Sequence, residues 1–424
     1  MLEFLDLRDV GPAPELRFDF APRINLITGD NGVGKSFVLD VAWWALTRTW
    51  ASYPAGPQRG QGVRPRISFA YRAKAKAVEQ DCDFNFKSLT WHRKPGPPNL
   101  GMVIYARADG GFSVWDPARN DWKGEVSREI FDFRSIAFDR PDRPEAYHFS
   151  PSQVWDGLRD GERHLCNGLI ADWVSWQREN GPAFHQLMSV LEVLAPSPAE
   201  PLKPGRPTRI SLDDVRDIPT LEMPYGTVPL VYASAGIKRI AALAYLLVWT
   251  WQEHQKASEL LNQEPTTEIT FLIDEIEAHL HPRWQRVILP ALLNVMQRVQ
   301  TEKARVQVIV ATHAPLLLAS VEPIFDEEQD RVFTFHLEGG SVSLREVPWS
   351  KQGDAVAWLV SDVFGLEEAR SVEAERAIEA AEKLMRRETQ TLPPNLRTRE
   401  QIHHELQRVL PGNDPFWPRW IVKR

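Results

Sequence analysis

The sequence predicts an α/β fold with a mixed central sheet, an antiparallel β subdomain, a helical insertion and a C-terminal helical extension. Three observations carry that reading. Arg23 to Thr28 (RINLIT) is a short apolar run that enters a glycine-rich turn and is followed by FVLDVAWWAL, the pattern of strand, loop and helix. Two further apolar runs, ITFLI at 269–273 and VQVIV at 306–310, are separated by a helical stretch, as buried strands of a parallel sheet are. From Ile67 to Asp116 the runs ISFAY, DFNF, MVIYA and FSVWD alternate with Gly, Pro and Asn and predict the antiparallel subdomain.

The period changes from about Pro151. Leu165, Leu169, Trp173 and Trp176 recur at helical spacing, so 151–194 reads as a helical insertion with one apolar face. The stretch APSPAEPLKPGRP at 195–207 reads as a linker, followed by RISL and TVPLVY as strands and by a long helix from Ala235 to about His254. FTFHLEGGSVSLREV alternates as a hairpin does, with Gly339 and Gly340 at its turn. The tail is mostly helical, and Thr398 with Gln401 has the spacing of a capping box. The expected division is a head over 1–350, with the insertion at about 151–205, and a helical extension over 351–424.

Composition narrows the function. With 43% hydrophobic and 25% charged residues, the 424-residue chain is an ordinary globular one. Fifty basic against fifty-seven acidic side chains give a net charge of -7, which argues against a surface devoted to coating nucleic acid. The basic run Arg64, Arg66, Arg72, Lys74 and Lys76 reads as a solvated face. Cys82 and Cys166 form neither a metal-ligand pattern nor a disulfide framework. No segment reads as targeting or membrane-spanning, so a cytoplasmic location without membrane contact is expected.

The chemistry lies in three places. Gly29, Asp30, Asn31, Gly32, Val33, Gly34, Lys35 and Ser36 match the phosphate-binding loop, whose backbone N–H groups surround phosphate oxygens at a helix N-terminus. Lys35 is expected to reach the β- and γ-phosphates of ATP, and Ser36 to give its hydroxyl to Mg²⁺. Asp274 ends the strand ITFLI as the second Mg²⁺ group, and Glu275 beside it is placed to take a proton from the attacking water. His313 follows VQVIVAT at the edge where α/β sheets bind ligands, within reach of a γ-phosphate. The fold is thus expected to be that of a P-loop NTPase.

These strings resemble the ABC-type ATPases of the chromosome-maintenance, RecF and overcoming-lysogenisation (OLD) lineage over most of residues 1–350. IDEIEAHLHP at 273–282 is similar to the family's second nucleotide motif and D-loop, and VATHAPLLL at 310–318 to its switch-histidine strand. YASAGIKRI at 232–240 is similar to its signature, although it departs from a Ser-Gly-Gly core and stands 40 residues before Asp274. The resemblance implies that Ser234 and Gly236 contact the γ-phosphate held by an opposite subunit, in a head-to-head dimer with shared sites. It also implies a Mg²⁺-sensing glutamine, for which Gln153 is the first choice and Gln61 the second.

Coiled-coil arms are absent from the sequence, and Glu338-Gly339-Gly340 lacks the following Asp-x-Asp of a toprim nuclease. The tail LVSDVFGLEEARSVEAERAIEAAEKLM at 359–385 and the string SAGIKRIAALAYLLVW look similar to short ATPases paired with HNH nucleases in Septu and retron defence systems. The resemblance implies an ATPase that senses for, or regulates, a separate HNH-type nuclease, with nucleic acid reached through the complex. A RecF-like repair ATPase that binds DNA directly and an ATP-dependent structural scaffold are the alternatives.

Overall fold

The computed structural model describes residues 1–58, 60, 62–73, 76–92, 101–120, 143–299 and 305–422. They form two compact units, Met1–Gly353 and Asp354–Arg424.

The first unit is built on an eight-stranded sheet. Its order is Ser341–Glu346, Asp330–Glu338, Ile24–Gly29, Arg305–Ala311, Glu268–Asp274, Met102–Ala106, Phe112–Trp115 and Tyr147–Phe149. The strands from Asp330–Glu338 to Met102–Ala106 run parallel, and the outer ones are antiparallel. Strands buried on both faces read as continuous apolar runs, which is why ITFLI and VQVIV stand out in the sequence. A second sheet, antiparallel throughout, has the order Glu15–Asp19, Leu2–Arg8, Arg66–Ala73, Lys76–Asn85 and Thr90–Trp91.

The antiparallel subdomain was expected to include MVIYA and FSVWD, and this is corrected. Met102–Ala106 pairs in parallel with Glu268–Asp274, and Phe112–Trp115 pairs with Met102–Ala106, so both belong to the central sheet. Lone short apolar runs do not reveal a partner more than 150 residues away.

Helix Lys35–Thr47 is buried along nearly its whole length because it joins one core with Leu5, Phe69 and Tyr71 of the antiparallel sheet and Ile27, Tyr105, Leu272 and Ile309 of the central one. Trp44 stacks on Trp50 at 5.3 Å between ring centres and meets Phe69 and Trp91 edge-on or tilted at 6.2 and 6.3 Å. Truncating such a tryptophan costs about 3–5 kcal/mol. This helix cannot tilt without disturbing both sheets, so the loop at its N-terminus is held by the core.

The insertion is less helical than its period suggested. Helices Pro151–Asp156, Leu169–Glu179 and Pro182–Leu194 are interrupted by a hairpin of Leu158–Asp160 and Arg163–Cys166, which takes Leu165 out of the helical face. A three-stranded sheet of Lys203–Thr208, Ile218–Met223 and Gly226–Pro229 follows, so a strand occupies the end of the supposed linker while RISL at 209–212 lies outside any strand. After a short 3₁₀ turn at Leu230–Tyr232 comes helix Ala235–Leu260, longer than expected. The hairpin of Asp330–Glu338 and Ser341–Glu346 turns on Gly339 and Gly340.

In the second unit, Ala377, Ile378 and Ala381 pack with Leu392, Ile402, Leu406, Phe416 and Trp420. Its amphipathic helices therefore bury apolar faces against one another. Thr398 and Gln401 make the capping box that begins Arg399–Val409.

Candidate nucleotide site

The loop between Ile24–Gly29 and Lys35–Thr47 is fixed at its first residue by close contact with the neighbouring strand. Gly29 has φ +128°, and a Cβ there would stand 2.6 Å from the Phe335 carbonyl, so only glycine fits. Val33 is buried and anchors the loop, whereas Asp30, Asn31, Gly32 and Ser36 are exposed at its mouth. Lys35 Nζ donates to the carbonyls of Gly29 at 2.8 Å and Asp30 at 2.7 Å, which aims the ammonium across the loop. Burial lowers its pKa, opposed by the nearby Glu275, Asp274, Asp30 and Glu277.

Parallel pairing brings the other groups to the same sheet edge. Asp274 is opposite Ala311 in register, two residues before His313. It is 4% exposed, lies close enough to the Ser36 hydroxyl for that group to favour its ionised form, and keeps Oδ1 buried with no hydrogen-bond partner. Burial, reinforced by Glu275 and Glu277, pushes its pKa up to about 6. An unpartnered buried carboxylate oxygen beside a serine hydroxyl is the donor set a Mg²⁺ ion takes, so the residues present fit the metal. Glu275 has the left-handed φ of +48°, its N–H donates to Ala311 O at 2.9 Å, and its Oε1 lies 3.4 Å from His313 Nδ1.

The signature string begins helix Ala235–Leu260. Ser234 is exposed and caps it, accepting from the Ile237 N–H at 3.3 Å. Gly236 is required by packing, because a Cβ would lie 2.9 Å from the His279 carbonyl in the turn after Glu275. Arg239, one turn further on, donates to the carbonyls of Glu275 at 2.9 Å and Ala108 at 2.9 Å.

The structure thus gathers Lys35, Ser36, Asp274, Glu275 and His313 at one edge, and sets Ser234 and Gly236 on a helix packed against the same turn. Gln153 is engaged elsewhere. Its Oε1 accepts from the Ser150 N–H at 2.9 Å in a capping box, so a role toward metal or nucleotide requires that cap to open. Gln61 and Lys74 lie outside the described residues. Of the basic run, Arg66 pairs with Asp83 and Arg72 with Glu3, as on a solvated face.

Sequence reasoning missed Asp40 and Glu277. Asp40 lies one turn after Ser36, and burial, reinforced by the nearby Asp274, raises its pKa to about 6. An acid on the same helix face as Ser36 was the available signal.

Residues 5–96 match a family described as "AAA domain", and residues 118–319 match one described as "AAA domain, putative AbiEii toxin, Type IV TA system". Septu protein PtuA from Bacillus thuringiensis is 22% identical over 403 residues, covering 92% of this chain and 90% of the relative. A retron Vc95 probable ATPase from Vibrio cholerae serotype O1 biovar El Tor is 44% identical over 50 residues, 12% of this chain and 8% of that protein. Among solved structures, the SMC head domain from Thermotoga maritima is 12% identical, with 82% of this chain and 99% of that one aligned at a TM-score of 0.39. An Smc head bound to the C-winged helix domain of ScpA is likewise 12% identical, over 82% and 97% of the two chains, at a TM-score of 0.41.

Proposed function

We propose that this chain is an ABC-like P-loop head that binds and hydrolyses Mg²⁺-ATP and regulates a separate HNH-type nuclease in prokaryotic anti-phage defence; its matches to AAA-domain families over 5–96 and 118–319 support the ATPase part. One observation carries the ATPase reading: the buried, unpartnered Oδ1 of Asp274 stands beside Ser36 and Lys35 at the C-terminal edge of parallel strands. Mg²⁺, when bound, supplies positive charge against the phosphates.

The chain's own residues do the rest. The loop N–H groups and Lys35 bind the phosphates, and Ser36 and Asp274 hold the metal. Glu275 accepts a proton from water at its carboxylate, and His313, 3.4 Å away, hydrogen-bonds the γ-phosphate. The exposed Ser234, which caps a 26-residue helix, offers its hydroxyl and the positive end of that helix to a phosphate held by a second copy. Similarity to Septu PtuA along 92% of the chain supports the defence role and the partner.

Lys35→Ala tests the reading directly. Loss of measurable ATP binding in a folded protein is expected, and unchanged affinity would reject it. Co-purification with an HNH-type protein encoded beside this chain tests the partner. Nucleic-acid cleavage by the chain alone, abolished by changes outside the ATP site, would sink the regulatory role.

A further inference from the structure

Glu277 is 4% exposed, and its carboxylate reaches across 35 residues of sequence to the loop that carries His313. Oε1 accepts from the Thr312 hydroxyl at 2.6 Å and from the His313 N–H at 3.1 Å. The Thr312 hydroxyl in turn accepts from the Ala314 N–H at 3.0 Å. One buried oxygen therefore sets the conformation of Thr312, His313 and Ala314 together. The other end of the tether is equally fixed, because the turn holding Glu277 closes with Ala278 N–H to Glu275 O and Leu280 N–H to Glu277 O, both at 2.9 Å. Glu275 and His313 are thus connected through the protein as well as through the 3.4 Å gap between them.

We propose that Glu277 is a positioning residue that holds the His313 loop against Glu275, fixing the pair in the geometry that hydrolysis needs. The inference rests on the assignment of Glu275 and His313 to ATP hydrolysis. Oε1 has two donors while Oε2 is buried with no hydrogen-bond partner, so the contact to the His313 loop is made through Oε1 alone. Glutamine can keep the Oε1 acceptor, whereas alanine removes it.

The full-length, nucleotide-free protein separates this role from a general structural one. Hydrogen exchange over 312–314 is expected to quicken by about tenfold or more in Glu277→Ala and to stay at the wild-type rate in Glu277→Gln. Should the alanine variant fail to fold, Thr312→Val, which removes the shared hydroxyl, is expected to quicken exchange at Ala314. With ATP, Glu277→Ala is expected to lower kcat about tenfold while KM stays within about twofold, and Glu277→Ala with His313→Ala to be no slower than His313→Ala alone. Unchanged exchange over 312–314 in both Glu277→Ala and Thr312→Val would overturn the positioning role, as would additive losses in the double variant. A wild-type protein without ATPase activity would defeat the hydrolytic reading instead, and the exchange result would still decide whether Glu277 holds the loop.

Discussion

Replacing Asp274 with asparagine is expected to stabilise the nucleotide-free head at neutral pH while removing its response to Mg²⁺-ATP. The carboxyl is 4% exposed, Oδ1 has no partner, and its pKa stands at about 6 against 3.8 for the ordinary group. Each tenfold change in proton affinity is about 1.4 kcal/mol, so the ionised carboxylate costs up to about 3 kcal/mol, and relaxation leaves about 1–3. The folded state holds this proton more tightly than the unfolded one. The contribution is therefore present below about pH 3.8, is lost as pH rises to about 6, and stays lost above. Asparagine resembles the protonated acid, so its advantage should be full at pH 7.5, smaller at pH 5 and near zero at pH 4. Thermal unfolding without metal reads this as a Tm rise of a few degrees at pH 7.5. With Mg²⁺-ATP the order should reverse, because only the wild type gains from ligand. A variant no more stable at pH 7.5, or one whose advantage does not shrink toward pH 4, would refute the argument.

Glu275→Gln should bind ATP as the wild type does yet hydrolyse it at least about a hundredfold more slowly, since the proton acceptor is gone; full turnover would place water activation elsewhere. Lys35→Ala and Ser234→Arg chains, each inactive, should recover part of the activity when mixed, and no recovery in demonstrated mixed dimers would count against shared sites. Gly236→Ala should cost about 1–3 kcal/mol by driving a methyl against the His279 carbonyl, read as a lower unfolding midpoint. Metal binding should also report the buried acid. Mg²⁺ affinity should fall about tenfold per pH unit below about 6, where Asp274 takes up a proton, and a flat profile would contradict the burial seen there.

Much of the site was legible because its determinants are local. Three glycines, Lys35 and Ser36 in eight residues define the loop, and Asp274 and His313 announce themselves by ending or following apolar runs. What failed to show was pairing. MVIYA has five consecutive buried residues and no alternation, so nothing in it distinguishes a parallel strand from an antiparallel one. The hairpin at 158–166 was masked by a helical period carried through Leu165, and Gly157 and Gly161 were the turn signals outweighed by it. Glu277 was invisible for a different reason. Its function is a contact with Thr312 and His313, and an acid in IDEIEAHLHP carries no mark of which loop will fold over it.

On the proposed hydrolytic role, the backbone at Glu275 sets stability and activity against each other at one residue. A side chain in the left-handed region costs about 1 kcal/mol, and only glycine escapes it. Glycine would relax the corner but carries no carboxylate. Random drift toward a sturdier fold therefore leads, at position 275, straight to an inert head, and the glutamate survives there only under selection for what it does. A screen for thermostable variants should find Glu275→Gly among its gains, and that variant should hydrolyse no ATP.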